Sequence, residues 1–201
     1  MTERRTSKQF LTVLKRQQRN QSWLVISGWV ASIYTMAFFA VHVREFLSSL
    51  TNLNFLMTLL FLFILSFFVL SLFQKAGIHK TRTLVLTLSA ISVFTFQYFP
   101  GTEHAKQYHL VEYSILSYLL YGAFKLDFQG IKVWIFAFAA TALIGLGDET
   151  LQHFVPGRYS SLMDVVIDMK AAAFGLMFAT IAEFEKKLVQ LEKKKPARSG
   201  F

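Results

Sequence analysis

The sequence predicts an all-α fold, a polytopic transmembrane helical bundle of about six spans with both termini cytoplasmic. Three observations carry that prediction. Of the 201 residues, 54% are hydrophobic and 22 are Phe. These apolar residues come in long blocks, with neither the alternation of a strand nor the period of a half-buried helix, which is the pattern of lipid-facing helices. Between the blocks, Lys and Arg collect on alternate loops, as the positive-inside rule requires.

Residues 1–22 form a basic N-terminal segment with Arg4, Arg5, Lys8, Lys15, Arg16 and Arg19. Within it Phe10, Leu11, Val13 and Leu14 permit a short interfacial helix. The apolar run Trp23–Val41 is the first span. It is too long and aromatic for a cleavable signal peptide, and no small-residue cleavage site follows it. A polar link is expected from His42 to Asn54. Phe55–Phe73 is the second span, and Gln74–Thr83, with Lys75, Lys80 and Arg82, is a loop. The third span, Leu84–Phe99, carries Thr87, Ser89, Ser92, Thr95 and Gln97, as a helix packed inside a bundle would. Pro100-Gly101 stops it.

Residues 100–182 make the second half of the bundle. Its spans are Leu110–Phe124, entered through a polar first turn, Val133–Leu146 and Val165–Ala182, with a brief loop at Lys125–Lys132. Residues 183–201 are a basic tail. With the N-terminus inside, six crossings leave all but four Lys and Arg in the cytoplasm. The four are Arg44, Lys106, Arg158 and Lys170. The acids Glu45, Glu103, Glu112, Asp148, Glu149, Asp164 and Asp168 fall on or near the outer side.

Several function classes drop out. The net charge of +9 sits beside apolar blocks, where it orients a membrane protein and attracts lipid headgroups rather than nucleic acid. There is no Cys, hence neither a disulfide nor a thiolate metal site. No glycine-rich phosphate loop is present, and Ser160 and Ser161 lack the surroundings of an activated serine.

The polar residues that remain gather at three span ends. Lys106, His109, Glu112 and Tyr113 recur at three- and four-residue spacing, so they share a helix face. The run Gly145–Asp164 holds Asp148, Glu149, Gln152, Arg158 and Asp164. An ionisable group at a membrane edge costs several kcal/mol unless paired or hydrated, and so normally has a role. Asp148 and Glu149 leave a helix in different directions and serve one ligand only if the helix ends, for which Gly145 and Gly147 offer the place. Pro156-Gly157 turns the chain and returns Arg158 toward the acids. That guanidinium suits phosphate or carboxylate, or else pairs with Asp148 or Asp164. Asp164 is also placed to cap the last span. Tyr113 and Phe154 read as interfacial packing.

The strings K-x-x-H-x-x-E-Y at Lys106–Tyr113 and G-x-x-D-E-x-x-Q-x-F-x-P-G-R at Gly145–Arg158, with Asp164 six residues on, resemble the VanZ-like family of small membrane proteins. The resemblance runs from roughly Glu103 to Ile181. The family's namesake is associated with tolerance to teicoplanin-type glycopeptide antibiotics, so the resemblance implies a bacterial cytoplasmic membrane and a cell-envelope ligand. It carries over polar positions, namely His109, Glu112, Asp148, Glu149, Gln152, Arg158 and Asp164, rather than a reaction. In the last span this chain departs from the family, with Asp168 for the usual Asn and Ala171 for the usual Gly. Asp168 beside Lys170 reads as an added ion pair.

The expected chemistry is acid–base work by His109, Glu112, Asp148 and Glu149, with Lys106, Gln152, Arg158 and Asp164 holding a ligand. That ligand is a lipid headgroup, a lipid-linked wall precursor or another small molecule. The imidazole and carboxylates also suit a divalent ion such as Zn²⁺, Mn²⁺ or Mg²⁺, although no metal-binding spacing marks one. A non-enzymatic shielding protein and a small proton-coupled transporter are the alternatives.

Overall fold

The structure, a computed structural model, describes residues 2–50, 105–158 and 160–193. Among these residues it is all-helical, with α1 at Thr2–Leu50, α2 at Ala105–Phe124, α3 at Ile131–His153 and α4 at Leu162–Lys193. The expected second and third spans, Phe55–Phe73 and Leu84–Phe99, lie outside the described residues, as does the end of the basic tail.

Among the described residues, three stretches are long and apolar enough to cross a membrane: Gln9–Phe39 in α1, Ile131–His153, and Leu162–Phe184 in α4. Their outward faces are greasy. Leu24, Phe39, Ile131, Leu143, Leu162 and Met163 all stand exposed. Large contiguous apolar surface of this kind belongs in lipid. The chain is therefore a helical membrane protein by class. α2, which contains the expected span Leu110–Phe124, is not among these three stretches, because Lys106, His109 and Glu112 make its first half polar; it packs centrally, most closely against α4.

Besides α4, which runs on past Ala182 to Lys193, two boundaries differ from the sequence reading. α1 is continuous through the basic segment and on through His42 to Leu50, where a polar link was expected. The chain from Thr2 to Leu50 contains no Pro and only one Gly, Gly28, so nothing in it interrupts a helix. At about 1.5 Å per residue α1 is roughly 70 Å long, more than twice the hydrocarbon core of a bilayer. The other difference is in α3, which continues past Leu146 and through Gly145 and Gly147 to His153.

Each helix buries one stripe. In α1 the stripe holds Ile26, Ile33 and Ala37. In α3 it runs Val133, Ala137, Thr141, Gly145, Asp148 and Gln152, changing from apolar to small to charged along one face. Small residues bring α2 and α4 together, as in many membrane helix pairs. Ser114 Oγ donates to the Ala171 carbonyl at 3.0 Å, and a Cβ on Gly175 would collide with the Ser114 carbonyl and Ser117 Oγ. The Ala171 position thus still permits close approach, with Gly175 one turn on supplying the space.

The helices alternate in direction, which gives the bundle two unlike ends. One end carries Arg19, Lys125, Asp127 and Glu183. At the other lie His109, Asp148, Arg158 and Asp168.

Candidate functional site

His109 opens the site from the second turn of α2. Its ring stacks on Tyr113, one turn on, at 5.9 Å between centroids and 1° between planes. Nδ1 stands 3.2 Å from Asp168 Oδ1 of α4 and 3.9 Å from Asp148 Oδ2 of α3. Neither approach is aligned as a hydrogen bond, and Nδ1 is buried without a hydrogen-bond partner.

Asp148 and Glu149 are both buried although α3 does not end between or before them. Adjacent helical residues diverge by about 100°, and the site fills that angle. On one side, Tyr113 Oη donates to Asp148 Oδ2 at 3.2 Å and Gln152 Nε2 donates to the same oxygen at 2.8 Å. On the other side, the Ser161 backbone N–H donates to Glu149 Oε2 at 2.9 Å. Each carboxylate is thus anchored by one oxygen. Asp148 Oδ1 and Glu149 Oε1 remain buried with no hydrogen-bond partner. Ligand atoms of His109, Asp148 and Glu149 lie within 4.8 Å of one another, so the three side chains converge on one point.

Glycine makes room for Asp168. A Cβ on Gly145 would sit 2.7 Å from Asp168 Oδ2, and one on Gly147 would sit 2.6 Å from the Tyr34 hydroxyl of α1. Close approach, rather than helix ending, is what these two glycines serve. Tyr34 Oη itself donates to the Ile144 carbonyl at 3.2 Å, which fixes α1 against α3 beside the site.

After His153 the chain leaves the helix through short-range bonds, Phe154 N–H to Leu151 O and Val155 N–H to Gln152 O. Pro156 cannot donate, and Gly157 takes φ of 81°, a left-handed conformation that side-chain-bearing residues avoid. The turn delivers Arg158 to α1, where Nη1 donates to the Ala37 carbonyl at 3.2 Å.

Several sequence expectations need correction. Ser161, not Asp164, caps α4, since its Oγ accepts the Met163 N–H at 3.1 Å. Asp164 lies half-buried within the first turn, one turn before Asp168. Asp168 does not pair with Lys170, which is exposed on another face. It is wholly buried and faces His109 instead. Tyr113 is a wholly buried partner of Asp148 rather than interfacial packing. Phe154 is exposed.

Of the expected residues, His109, Asp148, Glu149 and Gln152 come together, and Arg158 borders them from the turn. Glu112 is half-buried next to the cluster without joining the convergent three, and its carbonyl accepts the Trp29 indole N–H at 3.1 Å. Lys106 lies in the first turn of α2, its side chain outside the described residues. Asp168 and Tyr113 are the residues that sequence reasoning misassigned. The signal for both was their helical spacing from known candidates, Tyr113 four residues after His109 and Asp168 four after Asp164.

The fold and the site together define a helical membrane protein with a buried acid–imidazole centre at one end of its bundle. Comparison with family models, curated proteins and solved structures finds no match to this chain.

Proposed function

We propose that this chain is a VanZ-like protein of a bacterial cytoplasmic membrane, with six spans and both termini inside. In this reading its acid–imidazole end faces outward and handles an envelope ligand, a lipid headgroup or a lipid-linked wall precursor, with an effect on glycopeptide tolerance. The observation that carries it is the convergence of His109, Asp148 and Glu149 within 4.8 Å at the end of the bundle opposite the basic residues. A buried polar centre near a membrane face is expensive to maintain and fits a ligand site better than a packing role.

His109, flanked by Asp148 and Asp168, is the acid–base group, since an imidazole between carboxylates can take up and release a proton. Arg158, with Lys106, is the anion contact. One Nη1 donor is used by Ala37, and the guanidinium carries further donors for a phosphate. Membrane lipids are the surrounding partners, and the basic inner segments hold anionic headgroups.

Mass spectrometry of envelope lipids and wall precursors tests the reading. Cells lacking the protein are compared with cells carrying wild type, His109→Ala, Glu112→Gln or Asp148→Asn at matched protein levels. A profile that changes with wild type and reverts in the variants is expected. If profiles never change and all three variants keep the phenotype, the reading falls and a shielding protein replaces it.

A further inference from the structure

We infer that His109, Asp148 and Glu149 form a binding site for a divalent transition-metal ion of the Zn²⁺ or Mn²⁺ kind. This deepens the reading of the same site, assigning His109 to the ion rather than to proton transfer while the ion is bound, and does not depend on which envelope ligand the site meets.

The first argument is the state of the donor atoms. His109, Asp148 and Glu149 are 9%, 2% and 4% exposed, so all three are at least nine-tenths withdrawn from solvent. Asp148 Oδ1, Glu149 Oε1 and His109 Nδ1 have no hydrogen-bond partner. A buried carboxylate is normally paired, hydrogen-bonded or bound to a metal. Here each carboxylate has one oxygen tied, by Tyr113 and Gln152 or by the Ser161 N–H, and one left without a partner, while one ligand atom from each of the three residues lies within 4.8 Å of the others. That is how outer contacts orient the ligands of a metal site.

Charge balance points the same way. Asp148, Glu149 and Asp168 surround one imidazole, with Glu112 adjacent, and the nearest guanidinium, Arg158, is engaged by a backbone carbonyl. A divalent ion supplies the positive charge that the cluster lacks among the described side chains.

Donor chemistry selects the ion. One imidazole with two carboxylates suits Zn²⁺ or Mn²⁺, whereas Ca²⁺ and Mg²⁺ favour all-oxygen sites. The spacing is nearly right. Ligands bonded at about 2.1 Å to a tetrahedral ion lie roughly 3.4 Å apart, so the 4.8 Å envelope needs only a modest closure of side chains. Asp168 Oδ1 lies 3.2 Å from the same His109 Nδ1 and adds a further carboxylate beside the donor set.

The competing explanation is that the carboxyls hold protons and remain neutral without any ion. A metal titration separates the two. The full chain is purified in detergent without a polyhistidine tag or metal resin, stripped with chelator, and titrated with Zn²⁺ and Mn²⁺. Bound metal is measured by elemental mass spectrometry and stability by thermal unfolding. About one ion per chain is expected, with a midpoint that rises with free metal concentration. Asp148→Asn and Glu149→Gln should each weaken binding by at least about tenfold. Asp127→Asn, at the opposite end, should bind as wild type does.

A stripped wild-type chain that takes up neither metal overturns the inference, whether or not the variants fold. So does undiminished binding in the Asp148→Asn/Glu149→Gln double variant. No envelope ligand enters the assay, so the two readings fail separately. A bound ion with unchanged envelope profiles would sink only the envelope reading, and a metal-free protein that alters those profiles would sink only this one.

Discussion

The two ends of the bundle hold charge in opposite ways. At the basic end Glu183 pairs with Lys125 and, at 3.4 Å, with Lys186, while Arg19 reaches Asp127 at 3.7 Å. All three cations are exposed, and aromatic rings pair at the same end, with Phe128 and Phe136 centred 4.7 Å apart and Trp23 edge-on to Phe124 at 5.5 Å. At the other end Asp148, Glu149 and Asp168 are buried around His109, with oxygens left unpartnered. Complementary, solvated charge costs little and orients a membrane protein. Buried acids in excess are costly and are kept for a purpose. Along α4, Asp168 and Glu183 are only about 22 Å apart at the rise of a helix, yet they follow different rules.

The largest effect should come from the buried end. Asp168→Asn leaves His109 without its nearest partner, and losing one member of a buried pair costs about 3–5 kcal/mol. Thermal unfolding in detergent measures it, and a loss under 1 kcal/mol would erase the distinction between the ends. Next is Gly175→Ala, whose Cβ meets the Ser114 carbonyl and pushes α2 from α4. Overpacking of this kind costs about 1–3 kcal/mol. If the same assay shows no change, the close seam that aligns His109 with Asp168 does not exist.

Tyr113→Phe removes only the hydroxyl that holds Asp148, and a hydrogen bond to a charged group contributes about 1.5–3 kcal/mol. A stability loss near the lower figure is expected, together with a reduced effect of any later Asp148→Asn change, measured as a double-mutant cycle. The smallest effect belongs to the basic end. Glu183→Gln should cost about 1 kcal/mol or less, and the cost should shrink further in high salt, since exposed pairs are screened. A Glu183 effect equal to that of Asp168 would break the comparison outright.

Much of the α-helical bundle was legible in the sequence, because apolar blocks and loop charge are local properties of the chain. The spans over Trp23–Val41, Val133–Leu146 and Val165–Ala182 all fall within apolar helices long enough to cross a membrane. Ends of elements were less legible. The runs to Leu50 in α1 and to His153 in α3 show polar residues continuing a helix through segments that contain no Pro. Half of the site was readable from helical spacing, which places Asp148 and Gln152 on one face.

What the chain alone determined is its class, its apolar spans and the inventory of acids beside one imidazole, all set by residue type and local order. Tertiary structure decided who meets whom. Asp168 turned to His109 rather than Lys170, Tyr113 turned inward to Asp148, and Arg158 went to Ala37. Those pairings depend on how α2, α3 and α4 are rotated and how closely they approach. That geometry is set by small residues such as Gly145 and Gly175, whose consequences appear only when another helix is laid against them.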